Sequence, residues 1–141
     1  MNAASTLLPT SLVTFANLAG IIEANKTAIF TMVTSDGTLH CRPLITREVD
    51  LAGHALWFYT ASNFAKAEEM LDGREVGLAY VAPDKAGYYS VSGRAQVVHD
   101  KAKAAELWVP SAATRFPTSP DDPRLVLVRV TVEAVEYWDA P

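Results

Sequence analysis

Residues 27–66 read TAIFTMVTSDGTLHCRPLITREVDLAGHALWFYTASNFAK. The opening run, Thr27 to Thr34, is rich in β-branched and aromatic residues and predicts a strand. Ser35-Asp36-Gly37 then predicts a tight turn, because glycine reaches positive φ without a Cβ clash. A second strand carries Arg42-Pro43, and the missing N–H of proline places that strand at an edge or a bulge. Leu56-Trp57-Phe58-Tyr59-Thr60 predicts a third strand, and Ala61-Ser62-Asn63-Phe64-Ala65-Lys66 the start of a helix. The stretch therefore sets an arginine, a threonine and a lysine near strand ends and a helix N-terminus, where backbone donors can meet a phosphate.

Outward from this block the pattern is mostly β. Leu12, Phe15, Ala19 and Ile22 recur at helical spacing and predict an amphipathic helix over about 11–25, behind a loose lead-in at 1–9. A helix over about 63–72 stops near Gly73, and 74–82 alternates as a strand. The turn 83–87 leads into a strand at about 88–99 with Tyr89, Val91, Gly93, Ala95 and Val97 on one face. Asp100 is placed to cap a short helix at 101–108. Pro110, Pro117, Pro120 and Pro123 make 109–123 a loop, long enough to point to a functional or interface role. Val126, Val128, Val130 and Val132 alternate along a last strand at about 124–137. Six strands joined mainly as hairpins, with three flanking helices, can close a small antiparallel barrel and remove their edges.

Composition narrows the function. The chain has 141 residues, half of them hydrophobic, which is enough for one domain with a core, 1–141. Twelve Lys and Arg against sixteen Asp and Glu give a net charge of −4, and the cations are scattered; this disfavours nucleic acid as a partner. Cys41 is the sole cysteine, so neither an intramolecular disulfide nor a multi-cysteine zinc site is available, and His40, His54 and His99 lack metal-ligand spacing. The N-terminus has no signal-peptide pattern, and no apolar run approaches the roughly 20 residues of a membrane span. A cytoplasmic protein without a membrane partner is expected.

Several residues carry chemistry, each with a plainer alternative. Lys66, in the first turn of its helix, opposes the macrodipole unless an anion lies beside it; otherwise it is a solvated surface lysine. Arg42 either offers a forked donor to a phosphate or ring carbonyl, or is an edge-strand charge that discourages aggregation. Trp57, Tyr59, Tyr88, Tyr89, Trp108 and Trp138 could wall a planar ligand or belong to the core. Alternation turns Cys41 away from Arg42, which predicts a buried, inert thiol. Hydrolase and nucleotide-triphosphatase motifs are absent from the sequence.

The ordered set of hairpin, Arg42-Pro43, Leu56 to Thr60, Lys66 and Tyr89-Ser90-Val91-Ser92-Gly93-Arg94-Ala95 resembles the FMN-binding split β-barrel family, the pyridoxamine-phosphate-oxidase-like superfamily. Leu107-Trp108, Phe116-Pro117, Asp122-Pro123 and the closing Glu136-Tyr137-Trp138-Asp139 are similar to its general-stress-protein branch. The resemblance spans about 11–139 and implies a six-stranded antiparallel split barrel and a homodimer with FMN at the subunit interface. It implies that Arg42, Pro43 and Leu44 run along the flavin, that Tyr59, Thr60 and Lys66 hold its phosphate, and that Tyr88 approaches the ring. Trp138, or else Trp108, would reach the flavin from the partner subunit. The function implied is an oxidoreductase exchanging electrons with a small molecule. The rivals are a non-catalytic flavin-binding stress module and a relative that binds deazaflavin or heme. Three departures matter: Phe64 stands where the family usually has a serine two places before the lysine, Leu44 replaces a common methionine, and the chain ends Trp138-Asp139-Ala140-Pro141 without the arginine-x-histidine motif of the vitamin oxidases. The last argues against oxidation of pyridoxamine phosphate itself. No catalytic residue is assigned.

Overall fold

The computed structural model describes residues 5–9, 12–34, 36–61, 73–81, 87–108 and 119–139. They form β1 (Ser5–Pro9), α1 (Leu12–Ala24), β2 (Thr27–Val33), β3 (Leu39–Asp50), β4 (Ala55–Ala61), β5 (Glu75–Val81), β6 (Gly87–Val98), α2 (Lys101–Leu107) and β7 (Leu125–Asp139). The order β7-β4-β3-β2-β5-β6, with β6 pairing back to β7, closes a six-stranded antiparallel barrel. All six predicted strands are present. The helix expected at 63–72, with Lys66 and Phe64, lies outside the described residues, as do positions 109–118 of the proline-rich stretch and 82–86 of the turn before β6.

Alternation builds the core. Ala28, Phe30 and Met32 of β2 point inward between exposed Thr27, Ile29 and Val33, and Leu78, Val91, Ala95, Phe58, Val128 and Val130 meet them from the other strands. The rings of Phe30 and Phe58 pack edge to face, with centroids 5.9 Å apart. Burying each such side chain stabilises by about 1.5–3 kcal/mol. Helix α1 sends Phe15, Leu18 and Ile22 into the same cluster, spaced so that one stripe serves the core.

One sequence expectation is corrected here. The stretch read as part of a loose lead-in forms β1, pairing Ser5–Pro9 with Trp138–Ala134 of β7. The reason lies in β7, whose ladder with β4 runs only from Leu125 to Thr131. The rest of that side would be a bare strand edge, and β1 takes it.

The β2–β3 hairpin follows the predicted turn. Gly37 has φ +87°, and its N–H donates to Thr34 O at 2.9 Å. The Asp36 carboxylate accepts from the Thr34 hydroxyl, from Thr38 Oγ1 at 2.7 Å and from the Thr38 N–H at 3.2 Å. Those donors, Thr34 first, hold its pKa at about 2 against the ordinary 3.8. Because the folded value is the lower one, this contribution is complete above pH about 4 and disappears as pH falls through about 2. Thermal melts of the wild type and Asp36→Ala should therefore differ most at neutral pH and converge between pH about 4 and 2. A gap that stays constant over that range would contradict the assignment.

Candidate functional site: the break between β3 and β4

Strands β3 and β4 pair over only part of their length. The register runs Asp50↔Ala55, Val49↔Leu56, Glu48↔Trp57 and Thr46↔Phe58, with Arg47 as the extra residue of a bulge, and ends there. Residues 39–45 of β3 continue on β2 alone, through Leu39↔Val33 to Ile45↔Thr27. Residues 59–61 of β4 continue on β7 alone. The barrel is thus split, with Arg42, Pro43 and Leu44 on one lip and Tyr59 and Thr60 on the other.

Along the β3 lip, β4 pairs with none of the backbone groups that face it. The N–H of Thr46 donates to Lys26 O at 2.7 Å. Alternation along an antiparallel ladder then turns the backbone groups of Leu44 and Arg42 toward β2. Those of Ile45, Pro43 and Cys41 face the side that β4 vacates. Proline is tolerated at position 43 because its nitrogen points to that side, as its predicted edge character required.

Side chains divide by face. Arg42 and Leu44 pair with Phe30 and Ala28 and share their inward side; Arg42 is half-buried, and burial lowers its guanidinium pKa. Thr60 is buried and pairs with inward-facing Val126. Tyr59 turns outward, and its phenol donates to Ala104 O of α2 at 2.8 Å. Burial raises its pKa, which the nearby Arg47 offsets in part. Tyr88 and Trp138 are cross-strand partners on β6 and β7, two and three strands beyond β2, with Tyr88 40% exposed. The structure sets Arg42 and Leu44 on one lip of the break and Thr60 on the other, groups Tyr88 with Trp138 elsewhere, and directs the Tyr59 side chain to α2. Trp108 caps the C-terminal end of α2, with its indole N–H buried and without a hydrogen-bond partner.

Cys41 turns away from Arg42 as expected but is exposed, not buried. It stands on an outward face of the barrel that the described residues leave uncovered. Registers Ile45↔Thr27, Pro43↔Ile29, Ile29↔Ala79 and Val81↔Tyr88 make that face continuous, with Ile29, Ile45, Val81 and Tyr88 all at least 40% exposed.

A buried anchor holds the apex of the break. Thr46 Oγ1 and the Tyr80 hydroxyl lie 2.6 Å apart, both buried. Thr46→Val leaves the Tyr80 hydroxyl without that partner in the core and should cost about 1–2 kcal/mol. Tyr80→Phe added to it should recover part of the loss in urea unfolding; a double variant as weak as the sum of the singles would contradict the pairing.

Sequence reading missed Arg47, Glu48 and Lys103. The Arg47 guanidinium lies 4.7 Å from the centroid of the Tyr59 ring, and its Nε is buried without a hydrogen-bond partner. Only the register shift reveals this residue, and no local pattern announces a bulge. Two cavities are present, neither lined by Arg42, Pro43, Leu44, Tyr59 or Thr60. One of about 390 Å³ sits between α2 and the turn before β7, lined by Asp100, Ala104, Asp122 and Leu127 among others. One of about 270 Å³ lies beside Thr31, Leu39 and Gly77. A split in a sheet encloses little volume, so the interrupted ladder, not cavity size, marks the candidate site. Among the described residues no group of three or more His, Cys, Asp and Glu could hold a metal ion, and no helix is long and apolar enough to cross a membrane.

The sequence profile of the family described as "Pyridoxamine 5'-phosphate oxidase like" matches residues 14–141. The general stress FMN/FAD binding protein from Xanthomonas citri superposes with a TM-score of 0.77 at 24% identity, over 93% of this chain and 92% of that one. A protein related to general stress protein 26, from Clostridium acetobutylicum, gives 0.76 at 18% identity, over 92% and 91%. PhzG from Burkholderia lata, solved in complex with tetrahydrophenazine-1-carboxylic acid, gives 0.64 at 19% identity, over 91% and 76%. At these identities the solved structures establish the fold alone. No curated protein matches the sequence.

Proposed function

The chain belongs to the pyridoxamine 5'-phosphate oxidase-like family, and from that premise we propose that it binds FMN at the break between β3 and β4. The observation that carries the proposal is the interrupted ladder. It leaves the outward backbone groups of Cys41, Pro43 and Ile45 for a planar, hydrogen-bonding ring, beside the half-buried guanidinium of Arg42. In this reading Arg42, Pro43 and Leu44 flank the flavin from β3. Thr60 and the backbone of Tyr59 approach from β4, and Lys66 supplies the cation for the phosphate. The unsatisfied Nε–H of Arg47, the bulge residue between Thr46 and Glu48, is a donor that an anionic ligand nearby would satisfy.

The uncovered apolar face supports a homodimer. A contiguous apolar patch of this kind marks an interaction surface, and a second copy would cover it and supply Tyr88 and Trp138 to the neighbouring site. The bound flavin would provide the redox chemistry, with the protein supplying binding, orientation and electrostatics. An oxidoreductase acting on a small molecule is the reading that follows. Non-catalytic flavin storage is the alternative, since no catalytic acid or base is assigned among the described residues. Ligand extraction and mass spectrometry of the purified protein test the cofactor: FMN supports the proposal, whereas deazaflavin, heme or no ligand after FMN loading overturns it.

A further inference from the structure

Helix α2 touches both strands that the split separates. Its Lys103 Nζ lies 2.9 Å from Glu48 Oε2 on β3, just past the bulge. The same ammonium stands 4.9 Å from the centroid of the Trp57 ring on β4. One residue along, Ala104 O accepts the Tyr59 hydroxyl of β4 at 2.8 Å. That carbonyl belongs to the last turn, where helix carbonyls lack intrahelical partners, and the N–H of Trp108 goes to Ala105 O instead. Trp57, Tyr59, Ala104, Leu107 and Leu127 complete a second apolar cluster beneath the helix. Tyr59 is the first β4 residue beyond the ladder, whereas Glu48 still pairs with Trp57 on the far side of the bulge, so the helix ties the start of the β4 lip to the paired end of β3.

We infer that Lys103 and Glu48 are positioning residues, and that α2 acts as a brace fixing where the β4 lip stands relative to the paired end of β3. The inference rests on the break being the flavin site. The Lys103–Glu48 pair is partly shielded, with side chains 19% and 31% exposed, so water screens it less than a surface pair. Glu106 also contacts Lys103 Nζ, at 2.7 Å, but sits on α2 itself and links nothing to β3. It is therefore the internal control.

FMN and riboflavin titrations of the full chain, followed by flavin fluorescence, test the brace. Lys103→Met and Glu48→Gln should each weaken both ligands about fivefold, the low end of coupling between sites. The double variant should be no weaker than either single one, Lys103→Arg should recover the affinity, and Glu106→Gln should leave it unchanged. Equal affinity in wild type, Lys103→Met and Glu48→Gln would overturn the inference, as would an equal loss in Glu106→Gln. Amide exchange of the ligand-free protein separates this test from the flavin assignment. Loss of the brace should speed exchange in Trp57–Ala61 relative to α1, whether or not the chain binds flavin. Unchanged exchange there would defeat the brace even if FMN binds.

Discussion

Lys66→Ala should weaken FMN binding by about 1–3 kcal/mol, the worth of a charge-assisted hydrogen bond, or roughly 5- to 150-fold, while riboflavin affinity scarcely moves. The two ligands differ by the phosphate alone, so their ratio isolates the group that the lysine is assigned to hold. The local argument is electrostatic. In the helix that the sequence predicts over about 63–72, a first-turn cation is disfavoured by the dipole unless an anion is present, and the sequence places Lys66 after the β4 lip. Phe64 stands where the family usually has a hydroxyl donor, so Asn63 or Ser62 would have to replace that donor beside Lys66. Fluorescence titration with both ligands decides the matter, and equal losses for FMN and riboflavin would reject the assignment.

Gly93→Val should destabilise the fold by about 3 kcal/mol, lowering the melting temperature by about 10 °C in a domain of this size. The β6–β7 ladder shifts register between Ser92↔Ala134 and Gly93↔Val132, with Glu133 as the extra residue. That bulge presses the β7 backbone onto Gly93, where a Cβ would stand 2.3 Å from Thr131 O and 3.1 Å from the Thr131 carbonyl carbon. These Thr131 backbone atoms cannot swing aside as a flexible side chain would. Gly77, beside which a Cβ meets nothing within 4 Å, is the contrasting position, and Gly77→Ala should be nearly neutral. Calorimetry of the two variants should separate them; equal melting temperatures would contradict the role of the bulge.

The barrel was legible because period-2 alternation is a local signal. Phe30, Val91 and Val128 each reveal their face through their neighbours, and Asp36-Gly37 declares its turn. Pro43 also disclosed its strand's edge character, since a residue without an N–H cannot sit within a ladder on that side. Other features depend on pairing partners far along the chain. The outward exposure of Cys41 follows from the absence of a covering layer over β2 and β3 in the described residues, and β1 exists because β4 leaves part of β7 unpaired. Tyr59 shows the limit best. Its order in the chain marks a candidate phosphate ligand, yet its phenol is committed to Ala104, 45 residues away. The register slip at Arg47, one rung from the split, is a property of two strands together and is written in neither alone.

Amide chemical-shift mapping during an FMN titration tests the central claim most directly. The account predicts the largest changes at Arg42, Leu44, Ile45, Thr60, Ala61 and Tyr88, with α1 undisturbed. Changes confined to the Asp100–Asp122 cavity beside α2, or none at saturating FMN, would contradict it.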